Sequence, residues 1–255
     1  MMLEARHWSE LVRQGYTVVA GAINARLLRE AQDAAAALAA LHPGGDWERS
    51  KDESWREIRH CRHPAFDAIV HGVLDPLTAE ILDSAPPLEP VQLAATMPGF
   101  ATRARVGRAF HVDGGSGEAL GVFNVLLGVA LTSVESDTAG GFHVWPGSHQ
   151  RFAALFQRQP VDQPVHWGET KLAGQKLFQS ESRMVVPHLA AGDIVVAHSF
   201  IAHGTSANKS DVRRDMIFQR RAAAPLWDAS TQDAARARFM RDPWAFFRRP
   251  VQGVS

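Results

Sequence analysis

In the segment Phe110-His111-Val112-Asp113-Gly114, two metal-ligating side chains stand one residue apart, and His203 follows far downstream. Alternate side chains on a β-strand share a face, so His111 and Asp113 can turn an imidazole and a carboxylate towards the same point. One distant histidine then completes three ligands on one side of a metal. Two imidazoles and one carboxylate on one face of an octahedron are the ligand set of non-haem Fe(II) oxygenases, because the opposite face stays open for a co-substrate and dioxygen. No cysteine is required.

A His-x-Asp alone is a weak signal, since a strand histidine is more often structural. Its surroundings strengthen it. Arg105 to Phe110 reads as a strand leading into the pair, and Gly114-Gly115-Ser116-Gly117 reads as a loop after it. Gly121 to Leu131 is then a buried strand by length and apolar content.

The chain has 255 residues, 45% hydrophobic and 21% charged, which suffices for a sizeable core and, for a β-barrel, one domain. Twenty-seven basic residues balance 27 acidic ones, so no overall field favours nucleic acid or an anionic membrane, and a small-molecule substrate fits better. The single Cys61 excludes an internal disulfide and a cysteine-built metal site; it reads as a free thiol in a reducing compartment. With no apolar signal-type core at the start and no run of eighteen apolar residues, the expected location is the cytoplasm.

Upstream, Gly15 to Val19 is a short β-branched strand, and Asn24 is a helix N-cap. Leu27, Ala31, Ala34, Leu38 and Leu41 follow at helical spacing until Pro43-Gly44-Gly45. The polar stretch 46–63, with Trp47 and Trp55, reads as a solvated loop or short helix, or as a lid. His60-Cys61-Arg62-His63 lacks a partner pair at ligand spacing and is structural. Residues 64–84 predict a helix that Pro76 splits, and Val91 to Met97 a strand.

Downstream, Gly140 to His149 describes a tight corner around a short strand, and 150–184 an irregular insertion over one barrel mouth. Ala190 to Asp193 turns into the strand Ile194 to His198, and Arg214 opens a last core strand through Arg220. The tail 225–249, rich in Trp, Phe and Arg, packs outside the core or across a homodimer interface. No repeat or linker divides the chain. The expectation is one domain over 1–255, with a β core at 91–222, helical support at 1–90 and a C-terminal arm at 223–255.

Four ordered blocks carry a family resemblance: His111-x-Asp113, Gly140-Gly141-Phe142-His143-Val144-Trp145-Pro146-Gly147-Ser148-His149, Ala191-Gly192-Asp193, and His203-Gly204-Thr205-Ser206-x-Asn208 followed by Arg214. Together they resemble the phytanoyl-CoA dioxygenase family of Fe(II)- and 2-oxoglutarate-dependent oxygenases, over about residues 10 to 222. The resemblance implies a mainly β fold, a double-stranded β-helix (jelly-roll) with flanking helices. It implies Fe(II) held by His111, Asp113 and His203, and 2-oxoglutarate whose far carboxylate pairs with Arg214 and the Thr205 hydroxyl. Arg suits that role because its planar fork binds a carboxylate at two points and keeps its charge. Dioxygen is the second co-substrate. At Val129, where members often carry an aromatic on the co-substrate pocket wall, this chain implies an aliphatic wall. Related halogenases have a small residue at the position of Asp113, so a carboxylate there argues for hydroxylation.

Several residues compete for roles. His198, five positions before His203, is the main rival ligand, and the following Gly204-Thr205 and the later Arg214 favour His203. His143 and His149 read as turn or surface residues. Asn124, the polar exception in an apolar strand, is either a structural hydrogen-bonding group or a donor to the co-substrate's other carboxylate. Arg213 should point away from Arg214. Arg103, Arg105 and Arg108 read as a solvated edge; were Arg103 or Arg105 to face the mouth, the substrate would carry a carboxylate or phosphate.

The sequence thus predicts a dioxygenase that hydroxylates a C–H bond of a small metabolite and releases succinate and CO2. Desaturation, epoxidation or ring formation with the same cofactors is the alternative outcome. A non-turning jelly-roll binding protein is the alternative class, and neither it nor a 2-oxoglutarate-independent cupin gives a reason for Arg214. The neutral charge and lack of a nucleotide-binding feature favour a free metabolite over a CoA ester.

Overall fold

Strands that are apolar on both faces need cover on both faces, and β4 (Val125–Ala130) and β6 (Ile194–His198) are buried at every residue. The computed structural model describes residues 3–41, 55–82, 90–100, 111–113, 123–158 and 184–248. The strand leading into Phe110 with its three arginines, the Gly114–Gly117 loop, Trp47 and residues 159–183 of the expected insertion lie outside these.

With β1 (Tyr16–Val19), β2 (Trp55–Cys61), β3 (Val91–Thr96) and β8 (Arg214–Arg221), the two buried strands form an antiparallel sheet in the order β1-β6-β4-β8-β3-β2. A smaller sheet pairs β5 (Phe142–Val144) with β7 (His203–Thr205), and bridges add Val185 and His111 to it.

Alternation sorts the large sheet into two faces. Ala94, Leu126, Ala130, Val195, Ala197, Met216 and Phe218 pack with Phe142 and Val144 of the small sheet. Leu93, Val125, Leu127, Val129, Ile194, Val196 and Ile217 pack outward against helical residues such as Leu27 and Phe66. Two facing sheets with helices outside are the double-stranded β-helix expected from the sequence.

The outer layer departs from the expectations in instructive places. A helix α1 (Ala5–Gln14), not read from the sequence, buries His7, Trp8 and Leu11 and ends at Gly15, whose φ is 86°. Any Cβ at Gly15 would also lie 2.5 Å from His149 Nδ1, so both backbone and space demand glycine there. The next helix, α2 (Ala25–Leu41), starts as expected at Asn24, whose Oδ1 accepts from Leu27 N–H at 3.0 Å.

Residues 55–61 are an edge strand rather than loop or helix. Their polarity misled because an edge strand tolerates charge, and Glu57 turns inward beside Ala94. Helices α3 (Pro64–Ile69) and α4 (Asp75–Ile81) are joined by a π-turn at Val70–Leu74. Pro76 has no N–H for the carbonyl four residues back, so the ladder widens just before it instead of breaking. Arg221, buried on the outer face of β8, binds Asp75 at 2.7 Å and so anchors this helix pair to the sheet. The start of the expected irregular insertion is helix α5 (Ser148–Phe156), which buries His149, Phe152, Ala153 and Phe156. Two C-terminal helices, α6 (Ala224–Trp227) and α7 (Gln232–Arg241), follow β8, and Phe239, Met240 and Phe247 of this arm join the chain's own core. Among the described residues, no helix is long and apolar enough to cross a membrane.

The arm closes over a buried histidine. His198 Nδ1 accepts from Phe200 N–H at 3.0 Å and Nε2 donates to the Pro243 carbonyl at 2.8 Å, so the neutral ring is satisfied on both sides. His149, 5.6 Å away between centroids, donates Nε2–H to the Val12 carbonyl at 2.9 Å. Burial pushes His198 down to about 3, with His149 adding to the shift, and pushes His149 down to about 4. Both folded values lie below the ordinary 6.5, so the stability they contribute is complete above pH 6.5 and is lost as pH falls towards those values. Each ring withdraws about 1.4 kcal/mol per pH unit in that window. Urea midpoints measured from pH 7.5 to pH 5 should fall accordingly, and His198→Phe should flatten the fall; an unchanged slope would contradict this assignment.

Candidate metal centre

The bridge between His111 and His203 builds the centre. Each residue's N–H donates to the other's carbonyl at 2.9 Å, which sets the two rings 4.4 Å apart between centroids. Asp113 then brings Oδ1 to 3.3 Å from His111 Nε2 and 3.6 Å from His203 Nε2. One ligand atom from each residue lies within 4.8 Å of the others, and this is the one such group among the described residues. His203 Nδ1–H donates to the Ile201 carbonyl at 3.0 Å, so its Nε2 lone pair faces the centre. Phe142 supports the same ring at 5.2 Å. The His111 side chain is 48% exposed, against 8% for His203 and 9% for Asp113, so the centre opens to solvent on the His111 side.

The protonation states suit a divalent metal. Partial desolvation of the ring and the neighbouring His203 lower His111 from its ordinary value. Burial alone would raise Asp113, but the neighbouring His203 and Arg220 hold it well below the usual carboxylate range. An ionised carboxylate oxygen is the form of Asp113 that metals bind.

Arg214 lies at the start of β8 on the inward face, 2% exposed and opposite Thr96 in register. Its Nε donates to the Gly140 carbonyl and its Nη2 to Thr96 Oγ1, while Nη1 has no partner among the described residues. Burial lowers its pKa to about 10, which leaves the guanidinium charged at neutral pH. Gly140 must be glycine to present that carbonyl: φ is 71° and a Cβ would meet the Thr96 side chain at 2.9 Å. Thr205 is half-buried in β7 opposite Phe142, two residues along from Gly140.

Asn124 is fully buried, and its Oδ1 accepts from Ala223 N–H at 2.8 Å. That is the structural role read for it, yet its Nδ2 has no partner among the described residues, which leaves a donor for the other role.

Strand parity separates the rivals. His198 shares the outward face of β6 with Ile194 and Val196 and sits in the arm's aromatic box, away from His111 and Asp113. Arg213 turns outward and donates Nε and Nη2 to Asp215 Oδ2 at 3.0 and 2.6 Å. Two expectations are corrected. Val129 packs outward with Ile194 and Ile217 and does not line the inner wall; there Gly128 makes room for the ring of Phe218, which a Cβ would touch at 2.8 Å. His143 and His149 are 2% and 0% exposed, not surface residues.

Residues missed in the sequence complete the surroundings. Thr96 was legible only through its pairing with Arg214. Arg220, six positions beyond Arg214 and therefore on the same inward face, donates Nε to Asp113 Oδ2 at 2.8 Å, with Nη2 at 2.7 Å. The spacing was available, but its partner was not.

Among curated proteins none matches the sequence. Solved structures are similar in fold. SnoK, a non-haem alpha ketoglutarate dependent carbocyclase from nogalamycin biosynthesis, matches with a TM-score of 0.59 at 18% identity, covering 86% of this chain and 84% of that one. HygX from Streptomyces hygroscopicus, with nickel, 2-oxoglutarate and hygromycin B bound, matches with a TM-score of 0.56 at 14% identity over 85% and 86% of the two chains. EctD from S. alaskensis, with 2-oxoglutarate and 5-hydroxyectoine, gives 0.59 at 19% identity over 87% and 76%. The family model for phytanoyl-CoA dioxygenase (PhyH) matches residues 11–216, which include all three members of the His-Asp-His cluster and Arg214, and the chain therefore belongs to that family.

Proposed function

We propose that the protein hydroxylates a C–H bond of a small metabolite, with Fe(II) held by His111, Asp113 and His203, and 2-oxoglutarate held at its far carboxylate by Arg214 and Thr205. The observation that carries this reading is Arg214 Nη1, a buried guanidinium nitrogen without a partner on the face that also bears the ligand cluster. A charged donor buried so deeply is costly unless an anion completes it. The donor set fits the metal as well, since two imidazoles and one carboxylate oxygen leave half a coordination sphere free. When bound, iron and 2-oxoglutarate supply the activation of dioxygen, with release of succinate and CO2.

The chain's own part is to bind, orient and exclude water. Arg214 fixes one end of the keto acid through a planar fork, and the Asn124 Nδ2 donor is available for its other carboxylate. The rings of Phe142 and Phe218, 5.8 Å apart, make the wall beside His203 apolar and keep water from the reacting atoms. A single domain, whose sheet takes β1 and β2 from the first 90 residues as well as the strands within 91–222, a cytoplasmic setting and a free-metabolite substrate complete the proposal; the buried, unpaired Cys61 thiol accords with a reducing compartment.

The test is aerobic incubation of the purified protein with Fe(II), 2-oxoglutarate and a panel of small metabolites, following succinate release and product mass. Structural neighbours include a carbocyclase and an epimerase, so the product itself is the deciding readout. A product gaining one oxygen as a hydroxyl group, seen by NMR, supports hydroxylation, and the same gain as an epoxide would move the outcome to epoxidation. Loss of two hydrogens, or no change in mass, would move the outcome to desaturation, ring closure or epimerisation.

A further inference from the structure

The carboxylate of Asp113 has two oxygens with different surroundings. Oδ1 faces His111 and His203, while Oδ2 is taken by Arg220 Nε and Nη2 at 2.8 and 2.7 Å. Arg220 is itself held from behind. Its Nη1 donates to Gln92 Oε1 at 3.1 Å, Gln92 Nε2 donates to Glu57 Oε2 at 2.6 Å, and Arg59 Nε donates to Glu57 Oε1 at 3.0 Å. The guanidinium also lies 6.0 Å above the Phe123 ring. β8, β3 and β2 thus contribute Arg220, Gln92 and Glu57 to one line of polar groups beside the apolar Ala94, Leu126, Met216 and Phe218 of the inner wall. A line of polar groups set into such a wall is costly, and each member here has a partner.

Resting on the metal-centre reading above, we propose that Arg220, backed by Gln92 and Glu57, is a positioning residue that holds Asp113 as a one-oxygen metal ligand. A carboxylate free to turn can chelate through both oxygens and fill a coordination position that the keto acid or dioxygen needs. A fork locked on Oδ2 leaves Oδ1 alone for the metal. Gln92 fixes the rotamer of Arg220, and Glu57 fixes Gln92 in turn.

Charge and positioning pull in opposite directions, which makes the proposal testable without turnover. Were Arg220 only a nearby cation, removing it would leave more negative charge for the metal, and binding would tighten. Loss of positioning weakens it. The experiment titrates Mn(II) alone into the full-length native protein, Arg220→Gln, Arg220→Lys and Gln92→Met, and records the visible ligand-field spectrum of each after loading with Co(II). Circular dichroism of each variant checks the fold.

Outer-shell losses cost about 10–100-fold in metal affinity, and Arg220→Gln should fall in that range. Arg220→Lys keeps the charge without the fork, so it should recover part of the affinity yet keep an altered Co(II) spectrum. Gln92→Met should weaken binding a few-fold, and it carries the test if Arg220→Gln does not fold. Equal or tighter Mn(II) binding in the folded variants, with an unchanged Co(II) spectrum, would overturn the proposal while leaving the metal centre intact. Native protein that binds no Mn(II) would overturn the metal-centre reading itself.

Discussion

Replacing His203 with alanine is expected to weaken Mn(II) or Fe(II) binding by more than about 100-fold, beyond the range for outer-shell changes, and to reduce succinate formation to background. Three protein ligands are the minimum that this cluster supplies, and two leave the metal to water and buffer. The same substitution should cost the metal-free fold only about 1–2 kcal/mol, the usual scale for a single point change. His198→Ala provides the opposite pattern. That ring stacks with Phe239 and Phe247 and ties Pro243 to Phe200, so its loss should lower the melting temperature clearly while metal binding persists. Paired metal titrations and thermal melts of the two variants check both halves. If His198→Ala lost the metal and His203→Ala kept it, the parity argument that separates them would fail.

The second large effect is on the co-substrate. Arg214→Ala should weaken 2-oxoglutarate binding by about 2–5 kcal/mol, on the order of 30-fold or more in Kd, because it truncates one partner of a buried charged pair. Metal affinity should change little, since Arg214 bonds to Gly140 and Thr96 rather than to a ligand residue. Arg214→Lys should restore only a small part of the loss: an ammonium cannot reach Gly140, Thr96 and a carboxylate with one planar fork. Calorimetric titration of 2-oxoglutarate into the Mn(II)-loaded variants measures this. Equal affinity in Arg214→Ala would remove Arg214 from the site and with it the reason to expect a keto-acid co-substrate.

Much of this arrangement was legible from residue spacing, because period-two alternation is a strong local rule. The apolar strands at 125–130 and 194–198 are where composition put them, whereas His111 and Asp113 meet not along a strand but because Asp113 lies on a bend just past the His111 bridge. Parity also contained facts that went unread. Val129 and His198 lie on strands whose neighbours fix their outward direction, and Arg220 repeats the parity of Arg214. The edge strand at 55–61 was illegible for a different reason: its polar residues matched a loop, and only pairing with β3 explains Glu57. Helix α1 did carry a helical signal that went unread, since Trp8, Leu11 and Val12 stand at spacings of three and four on one face. The partners of Arg214 and Asp113 are long-range contacts between Thr96, Gly140, Arg220 and the centre, and no local pattern encodes them.

Anaerobic addition of Fe(II) and 2-oxoglutarate to the purified protein is the most direct test of an iron centre with an adjacent keto-acid clamp. A keto acid chelated to Fe(II) on the open face of a two-histidine, one-carboxylate site gives a weak visible charge-transfer band. The band should appear in the native protein at one iron per chain, shift to higher 2-oxoglutarate concentration in Arg214→Ala, and be absent in His203→Ala. A native protein that shows no band, while binding metal or keto acid separately or not at all, would contradict the account at its centre.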